Sequence, residues 1–118
     1  MLLILNLVTS CKKDTMRNGE IYLKLNLSKT EYASLNQLNG ILYIEEILIA
    51  RVGEATYAAV AQYCDSNDCV TEYSADKNTF SCPCTGTNFD MQGVSIDKSI
   101  QIKGYNTLLE GNILHVFE

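Results

Sequence analysis

The residues of this sequence that could carry chemistry are its cysteines, because four of the five fall within one short segment. Two form a Cys-x4-Cys pattern, twelve residues intervene, and two form a Cys-x-Cys pattern; they are Cys64, Cys69, Cys82 and Cys84. This spacing differs from the Cys-x2-Cys knuckle that is typical of zinc sites. A thioredoxin-like site would need Cys-x-x-Cys beside a βαβ unit, and the sequence predicts no such unit. Neither a zinc knuckle nor that redox motif is therefore indicated.

The two cysteine segments together resemble the ligand boxes of a Rieske iron–sulfur domain. In that family, a Cys-x-His box and a Cys-x-x-His box provide two thiolates and two imidazoles to a [2Fe–2S] cluster. Here Cys64 and Cys82 match the thiolate positions. The second box continues in register at Gly86, Thr87, Phe89, Asp90, Gly93 and Val94. The resemblance covers roughly residues 38–118. It implies an all-β fold, a small antiparallel sandwich or barrel with two cysteine-containing loops at its tip.

Both histidine positions of the boxes are replaced in this chain. Ser66 and Thr85 occupy the places of the two imidazole ligands. Neutral hydroxyls are poor ligands for a soft iron–sulfur cluster, since an alkoxide is costly to form near neutral pH. The single histidine, His115, lies in the last predicted strand and matches no ligand position, so we expect an ordinary strand histidine. The sequence therefore predicts no cofactor, and a [2Fe–2S] cluster on Cys64 and Cys82 is the alternative.

The resemblance also implies how the four cysteines pair. In the family, the cysteines at the positions of Cys69 and Cys84 form a disulfide that ties the two cluster loops together. We expect that bond here, and we expect Cys64 and Cys82 to form a second disulfide, since neighbouring thiols oxidise after export. Alternative pairings join Cys64 to Cys69 or Cys82 to Cys84, and the second of these bonds would close a strained ring through Pro83.

The elements that must position these loops have the pattern of short strands. Apolar and polar residues alternate over residues 21–27, as in a half-buried strand. Further candidate strands are residues 41–44, 47–52, 55–61, 99–102 and 113–117. The Gly53-Glu54 pair favours a two-residue type II′ hairpin, and Gly111 lies in the turn before the last strand. Residues 32–38 fit a loop or one helical turn. About seven short strands with frequent turns are typical of a small sandwich or barrel.

The N-terminal segment has the features of a bacterial export signal. Residues 1–10 carry no charged side chain, and their apolar run is far shorter than the roughly 20 residues that span a bilayer. The sequence LVTSC at residues 7–11 resembles a lipobox, in which the cysteine is lipidated and becomes the first residue. We therefore expect a signal peptide over 1–10, a lipidated tether over 11–19 that begins at Cys11, and a Rieske-like β domain over 20–118. The alternative is a buried first strand with a free cysteine.

Composition excludes several classes of function. The 118 residues suit one domain, and the net charge is −5 with no segment rich in Lys and Arg. A nucleic-acid partner or a basic surface for anionic lipid is therefore not expected. With one histidine, no phosphate-binding loop and no Ser-His-Asp arrangement, the sequence predicts no enzyme.

Three functions follow from these observations. The leading one is a non-enzymatic structural or interaction module that has lost its cluster, is held together by disulfides, and is lipid-anchored to a membrane of the bacterial cell envelope, facing the periplasm or the exterior. The first alternative is a Rieske-type [2Fe–2S] electron-transfer protein. The second is a thiol–disulfide redox protein that uses Cys64 and Cys82, but the charges near these cysteines are acidic and would not activate a thiolate.

Overall fold

Strands dominate the structure, a computed structural model that describes residues 14–15, 21–65 and 68–118. Cys11 and Ser66 lie outside the described residues, as do the predicted signal peptide and most of the predicted tether. Within the described ranges, no helix has the length and apolar character needed to cross a membrane.

The described residues form twelve strands and one 3₁₀ helix, Thr30–Asn36, which follows the second strand. The strands are β1 (Asp14–Thr15), β2 (Ile21–Asn26), β3 (Ile41–Ile44), β4 (Ile47–Arg51), β5 (Tyr57–Ala61), β6 (Tyr63–Asp65), β7 (Cys69–Val70), β8 (Glu72–Ser74), β9 (Thr79–Cys82), β10 (Thr87–Phe89), β11 (Gly104–Glu110) and β12 (Ile113–Phe117).

A seven-stranded antiparallel sheet forms the body of the fold, in the order β1-β2-β12-β11-β5-β4-β3. Strand β11 connects its two halves, because Gly104 and Tyr105 pair with β5 whereas the rest of β11 pairs with β12. The tip of the fold contains a three-stranded sheet, β10-β9-β8, and the β6–β7 hairpin. The expected all-β antiparallel fold with cysteine-bearing segments at its tip is confirmed.

Strands β4 and β5 separate two hydrophobic cores, which explains their continuous apolar sequences. Ile47 and Ile49 point into one core, and Leu48 and Ala50 point into the other. The body core comprises Leu23, Leu25, Leu27, Leu35, Ile47, Ile49, Tyr57, Ala59, Leu114 and Val116. The tip core comprises Leu48, Ala50, Ala58, Val60, Cys69, Phe80, Cys82, Phe89 and Ile102. Cys69 and Cys82 are thus packed in the tip core together with residues of strands β4 and β5 of the large sheet.

Most of the predicted strands are present, and three details of the prediction are wrong. Residues 99–102 do not form a strand, since their ladder contact is the isolated bridge between Val94 and Gln101. The turn at Gly53 is wider than two residues, because Arg51 pairs with Tyr57 and the amides of both Val52 and Gly53 donate to Thr56 O. Strand β11 was not among the candidate strands, and neither were β1 and the short strands β6 to β10. Residues 30–36 form the 3₁₀ helix, so the helical alternative for residues 32–38 is confirmed.

Candidate functional site

The tip strands bring the four cysteines of residues 64–84 together. Cys64 lies in β6 and Cys69 begins β7, and Asp65 of this bulged hairpin pairs with Cys69. Strand β9 ends at Cys82, and Cys84 lies in the turn that follows. One pair of cysteines therefore comes from each of two neighbouring antiparallel hairpins.

Both expected disulfides are present. Cys64 is bonded to Cys82 with a Cα–Cα distance of 5.7 Å, and Cys69 is bonded to Cys84 with a Cα–Cα distance of 6.2 Å. Both distances lie in the range normal for disulfides. Each bond joins the β6–β7 hairpin to the β9 strand or its following turn, so the two bonds together fix the relative position of the two hairpins.

The two disulfides touch each other, a relationship that the sequence did not reveal. The Sγ atoms of Cys69 and Cys82 are 3.7 Å apart, and the backbone N–H of Cys84 donates to the Cys69 Sγ at 3.2 Å. Among the described residues, the Sγ atoms of Cys64, Cys69 and Cys82 form the one group of three or more His, Cys, Asp or Glu ligand atoms that lie close together, all within 4.8 Å of one another, and all three are engaged in disulfides. Spacing alone could not predict this contact because it depends on how the hairpins pack.

The turn after β9 is shaped by backbone hydrogen bonds to Cys82. The carbonyl oxygen of Cys82 accepts from the amides of Thr85 and Gly86, at 3.3 and 2.8 Å. Gly86 has a φ of 74°, a left-handed conformation that glycine adopts without a Cβ penalty. The Thr85 hydroxyl lies 2.8 Å from the Thr87 hydroxyl and is exposed with the rest of the turn.

The remainder of the second box forms a compact support beneath the turn. Phe89 is fully buried in the tip core. The carboxylate of Asp90 accepts hydrogen bonds from the amides of Gln92 and Val94, at 2.9 and 3.0 Å. Gly93 has a φ of 88°, and a Cβ at this position would lie 2.6 Å from the Ile102 carbonyl oxygen. Most of the matched positions in the box therefore have an identifiable role in shaping the backbone.

The donor set at the tip does not fit a Rieske cluster. Cys64 and Cys82 would have to supply thiolates, but their sulfurs are bonded to each other. Thr85, at an imidazole position, offers a hydroxyl engaged with Thr87. His115 lies in β12, where its ring nitrogens contact Tyr22 Oη at 2.8 Å and Glu110 Oε1 at 3.0 Å. His115 is therefore the strand histidine that the sequence predicted.

Asp97 and Tyr43 are among the titratable groups near the tip whose pKa values are shifted. Hydrogen bonds from the hydroxyl and amide of Ser99, and from the Ser95 hydroxyl, lower the pKa of the exposed Asp97 from 3.8 to about 2. Burial, together with the negative charge of Glu72, raises the pKa of Tyr43, whose hydroxyl donates to the Thr71 carbonyl oxygen at 2.7 Å. The first shift reflects a well-formed loop, and the second reflects packing of β3 against the tip.

Comparison with known proteins supports the fold. No protein-family model matches the chain, and no curated protein matches its sequence. Among solved structures, the ferredoxin of carbazole 1,9a-dioxygenase from Nocardioides aromaticivorans IC177 matches with a TM-score of 0.54 and 18% identity over 70% of this chain and 90% of its own. The plasma membrane Rieske protein PetC3 from Synechocystis PCC 6803 matches with a TM-score of 0.51 and 22% identity over 65% of this chain and 83% of its own. With cysteine pairs at the positions of the family's two boxes, the chain therefore has the fold of the Rieske proteins.

Proposed function

We propose that the protein is a Rieske-like module without an iron–sulfur cluster, in which two disulfides hold the tip together and the role is structural or protein-binding rather than enzymatic. The observation that carries this proposal is the Cys64–Cys82 disulfide, because it uses both sulfurs that a cluster would need. The hydroxyl at position 85 adds to the argument, since it is a poor iron ligand.

A role in binding another protein is supported by the surface of the tip. Ile96 and Ile100 are 59% and 48% exposed, and they lie on the loop that joins the Asp90 turn to β11. The amide of Ile96 donates to the Asn88 carbonyl oxygen, which attaches this loop to β10. Exposed isoleucines on a loop held by hydrogen bonds provide apolar area that a partner protein could cover.

Iron and sulfide analysis tests the proposal. The full chain is produced in a host that assembles iron–sulfur clusters, with a Rieske ferredoxin produced in parallel as the positive control. We expect a colourless protein that contains no stoichiometric iron or sulfide, beside a coloured, iron-containing control. Near-stoichiometric iron and sulfide with cluster absorbance would contradict the proposal and favour electron transfer, as the fold likeness to a ferredoxin would then suggest.

The variant Ser66→His/Thr85→His sharpens that measurement. It restores imidazoles at both replaced positions and leaves the four tip cysteines unchanged. If the hydroxyl positions are what prevents assembly, we expect this variant to acquire iron when it is produced under reducing conditions, whereas the unaltered chain acquires none. Iron in both proteins would show that the hydroxyls do not prevent assembly.

We further propose that a lipid on Cys11 anchors the protein to a membrane of the bacterial cell envelope, facing the periplasm or the exterior, and that residues 1–10 are removed. The LVTSC sequence supports this, as does the pairing of the four other cysteines with one another. Intact mass and detergent partitioning of the bacterially produced full chain test it, with Cys11→Ala as control. We expect a lipid-sized mass increase and a detergent-phase product for the native sequence only. A water-soluble product that retains Met1 would contradict the proposal.

A further inference from the structure

The four sulfurs at the tip form one connected cluster. Cys84 is bonded to Cys69, the Cys69 Sγ contacts the Cys82 Sγ at 3.7 Å, and Cys82 is bonded to Cys64. Thiol–disulfide exchange needs a thiolate that can reach the sulfur of a neighbouring disulfide. Once its bond to Cys84 is broken, the Cys69 sulfur is close enough to reach Cys82. Because it also lies within 4.8 Å of the Cys64 Sγ, the freed Cys69 side chain must first rotate into line with the Cys64–Cys82 bond.

The four cysteines differ in their exposure to solvent, and this difference determines which disulfide a reductant in solution attacks. Cys84 is exposed and Cys64 is half-buried, whereas Cys69 and Cys82 are 3% and 1% exposed. A reducing thiol from solution therefore meets Cys84 first. The sulfur that leaves in that attack is Cys69, and the Cys84 backbone N–H at 3.2 Å provides a hydrogen bond to the thiolate that forms.

We propose that a dithiol reductant acting at Cys84 triggers internal exchange, which yields a two-electron-reduced form with a new central Cys69–Cys82 disulfide and free thiols at Cys64 and Cys84. This inference rests on the two disulfides of the proposed function. It extends that function, because it makes the tip an acceptor for dithiols, such as those of a reducing protein.

The dithiol is the sole reductant. One of its thiolates attacks the Cys84 Sγ, which breaks the Cys69–Cys84 bond, forms a mixed disulfide on Cys84 and releases the Cys69 thiolate. That thiolate attacks the Cys82 Sγ, which forms the Cys69–Cys82 bond and releases the Cys64 thiolate, and water protonates it. The second thiol of the reductant attacks its own sulfur in the mixed disulfide and frees Cys84 as a thiol. The reductant ends as a cyclic disulfide, and the protein gains two electrons and two protons.

Attack by Cys69 on Cys82 is favoured over attack on Cys64 for two reasons. The Cys69–Cys82 sulfur contact is in place at 3.7 Å. Attack on Cys82 also expels Cys64, whose half-buried position lets water reach the departing thiolate, whereas attack on Cys64 would expel a thiolate at Cys82, which is 1% exposed. Burial of an unpaired charge is unfavourable, so the central disulfide is the expected product.

Limited reduction followed by peptide mapping tests the proposal. The folded full chain is treated with one equivalent of dithiothreitol, quenched with acid, alkylated, and digested without further reduction by a protease that cleaves before aspartate. Cleavage before Asp65 separates Cys64 from Cys69, and fragment ions distinguish Cys82 from Cys84. We expect most two-electron-reduced molecules to carry alkyl groups on Cys64 and Cys84 and a Cys69–Cys82 crosslink.

Each other connectivity overturns the proposal. Alkylation of Cys69 and Cys84 with the Cys64–Cys82 bond intact would show reduction without exchange. Alkylation of Cys64 and Cys82 would show attack on the other disulfide, and alkylation of Cys82 and Cys84 would show exchange at the wrong sulfur. Iron is measured on the same preparation. Bound iron would contradict the proposed function, whereas another connectivity in an iron-free protein would contradict only the exchange.

Two single variants test the exchange step without a reductant. In Cys84→Ser, Cys69 has no native partner, and exchange predicts that the alkylated residue is mainly Cys64. In Cys64→Ser, exchange predicts that it is mainly Cys84. Alkylation confined to Cys69 in the first variant and to Cys82 in the second would contradict the proposal. The same variants in guanidinium are the control, since unfolding removes the sulfur contact and its directing effect. If neither variant folds, the wild-type mapping still decides.

Discussion

The hydroxyl of Tyr22 lies 2.8 Å from Nδ1 of His115, across the paired strands β2 and β12. The other ring nitrogen of His115 lies 3.0 Å from Glu110 Oε1. With Nε2–H donating to the carboxylate, Nδ1 accepts from the tyrosine hydroxyl, an assignment that the hydrogen-bond network requires for a neutral ring. Tyr22 also stacks on Phe117, with ring centroids 5.5 Å apart. The one histidine of the chain is therefore part of an outer-face cluster on the large sheet.

The Tyr22→Phe variant should measure how much the hydrogen bond between Tyr22 and His115 contributes to the free energy of unfolding. The ring remains against Phe117, but Nδ1 of the largely buried His115 loses its donor. We expect the free energy of unfolding to fall by about 0.5–1.5 kcal/mol in urea denaturation. Tyr73→Phe is the matched control, because the Tyr73 hydroxyl bonds the exposed Asn78 side chain and its loss should have little effect. Equal losses in the two variants would contradict this account.

Sequence periodicity predicted those strands in which apolar and polar residues alternate in the same way as buried and exposed positions. In β2, Leu23 and Leu25 are buried and Lys24 is exposed, as the alternation over residues 21–27 predicted. The disulfides were predicted through the family resemblance, because the cysteines retain the positions of its two boxes. Both successes rest on information contained in short segments of the chain.

The errors in the strand and turn predictions arose where a nearby side chain forms hydrogen bonds with the backbone and thereby determines its conformation. Residues 99–102 contain isoleucines typical of a strand, but the Ser95 hydroxyl oxygen accepts from the amides of Ser99 and Ile100, and these bonds replace a ladder. At the predicted Gly53 hairpin, the Arg51 guanidinium donates to the carbonyl oxygens of Gly53 and Glu54 and holds a wider loop. Local turn preferences do not include such contacts.

Asp97 should retain its charge to unusually low pH. Its pKa is about 2 in the folded protein, against 3.8 ordinarily, because Ser99 and Ser95 donate to the carboxylate. The ionised form thus favours the folded state above pH 3.8, and that contribution is lost as pH falls toward 2. We expect an NMR titration midpoint near 2 for the Asp97 carboxyl, and a shallower fall in unfolding free energy between pH 4 and 2 for Asp97→Asn. A midpoint near 3.8 would contradict the prediction.

Gly93→Ala should be much more damaging than Gly86→Ala. Both glycines have positive φ, but a Cβ at Gly93 would lie 2.6 Å from the Ile102 carbonyl oxygen, whereas a Cβ at Gly86 would meet nothing within 4 Å. We expect a loss of about 1–2 kcal/mol at Gly86 from backbone strain alone. At Gly93 the steric clash is added, and we expect about 3 kcal/mol or more. Thermal or urea unfolding of the two variants provides the comparison, and similar losses would show that the clash is relieved.

Glu46→Gly should stabilise the β3–β4 hairpin. Ile44 pairs with Ile47 across a two-residue turn in which Glu45 and Glu46 have φ values of 53° and 63°. Two-residue hairpin turns with positive φ favour Asn-Gly, because residues with a Cβ are strained there. We expect a gain of about 0.5–1 kcal/mol in unfolding free energy. Glu54→Gly is the control, since it removes the same charge where φ is not positive, and it should give no gain.

The two disulfides should contribute nearly equally to stability. They span 18 and 15 residues of sequence, so the difference between their loop-closure entropies amounts to only a few tenths of a kcal/mol. Each bond also contains one sulfur of the tip core, Cys82 in one and Cys69 in the other, so alanine substitution leaves a similar gap in both cases. We expect Cys64→Ala/Cys82→Ala and Cys69→Ala/Cys84→Ala each to lose about 2–5 kcal/mol in urea unfolding. Alanine is chosen because a buried serine hydroxyl without a partner would add its own desolvation cost. A loss below about 1 kcal/mol for either double variant would show that its bond constrains the unfolded chain little.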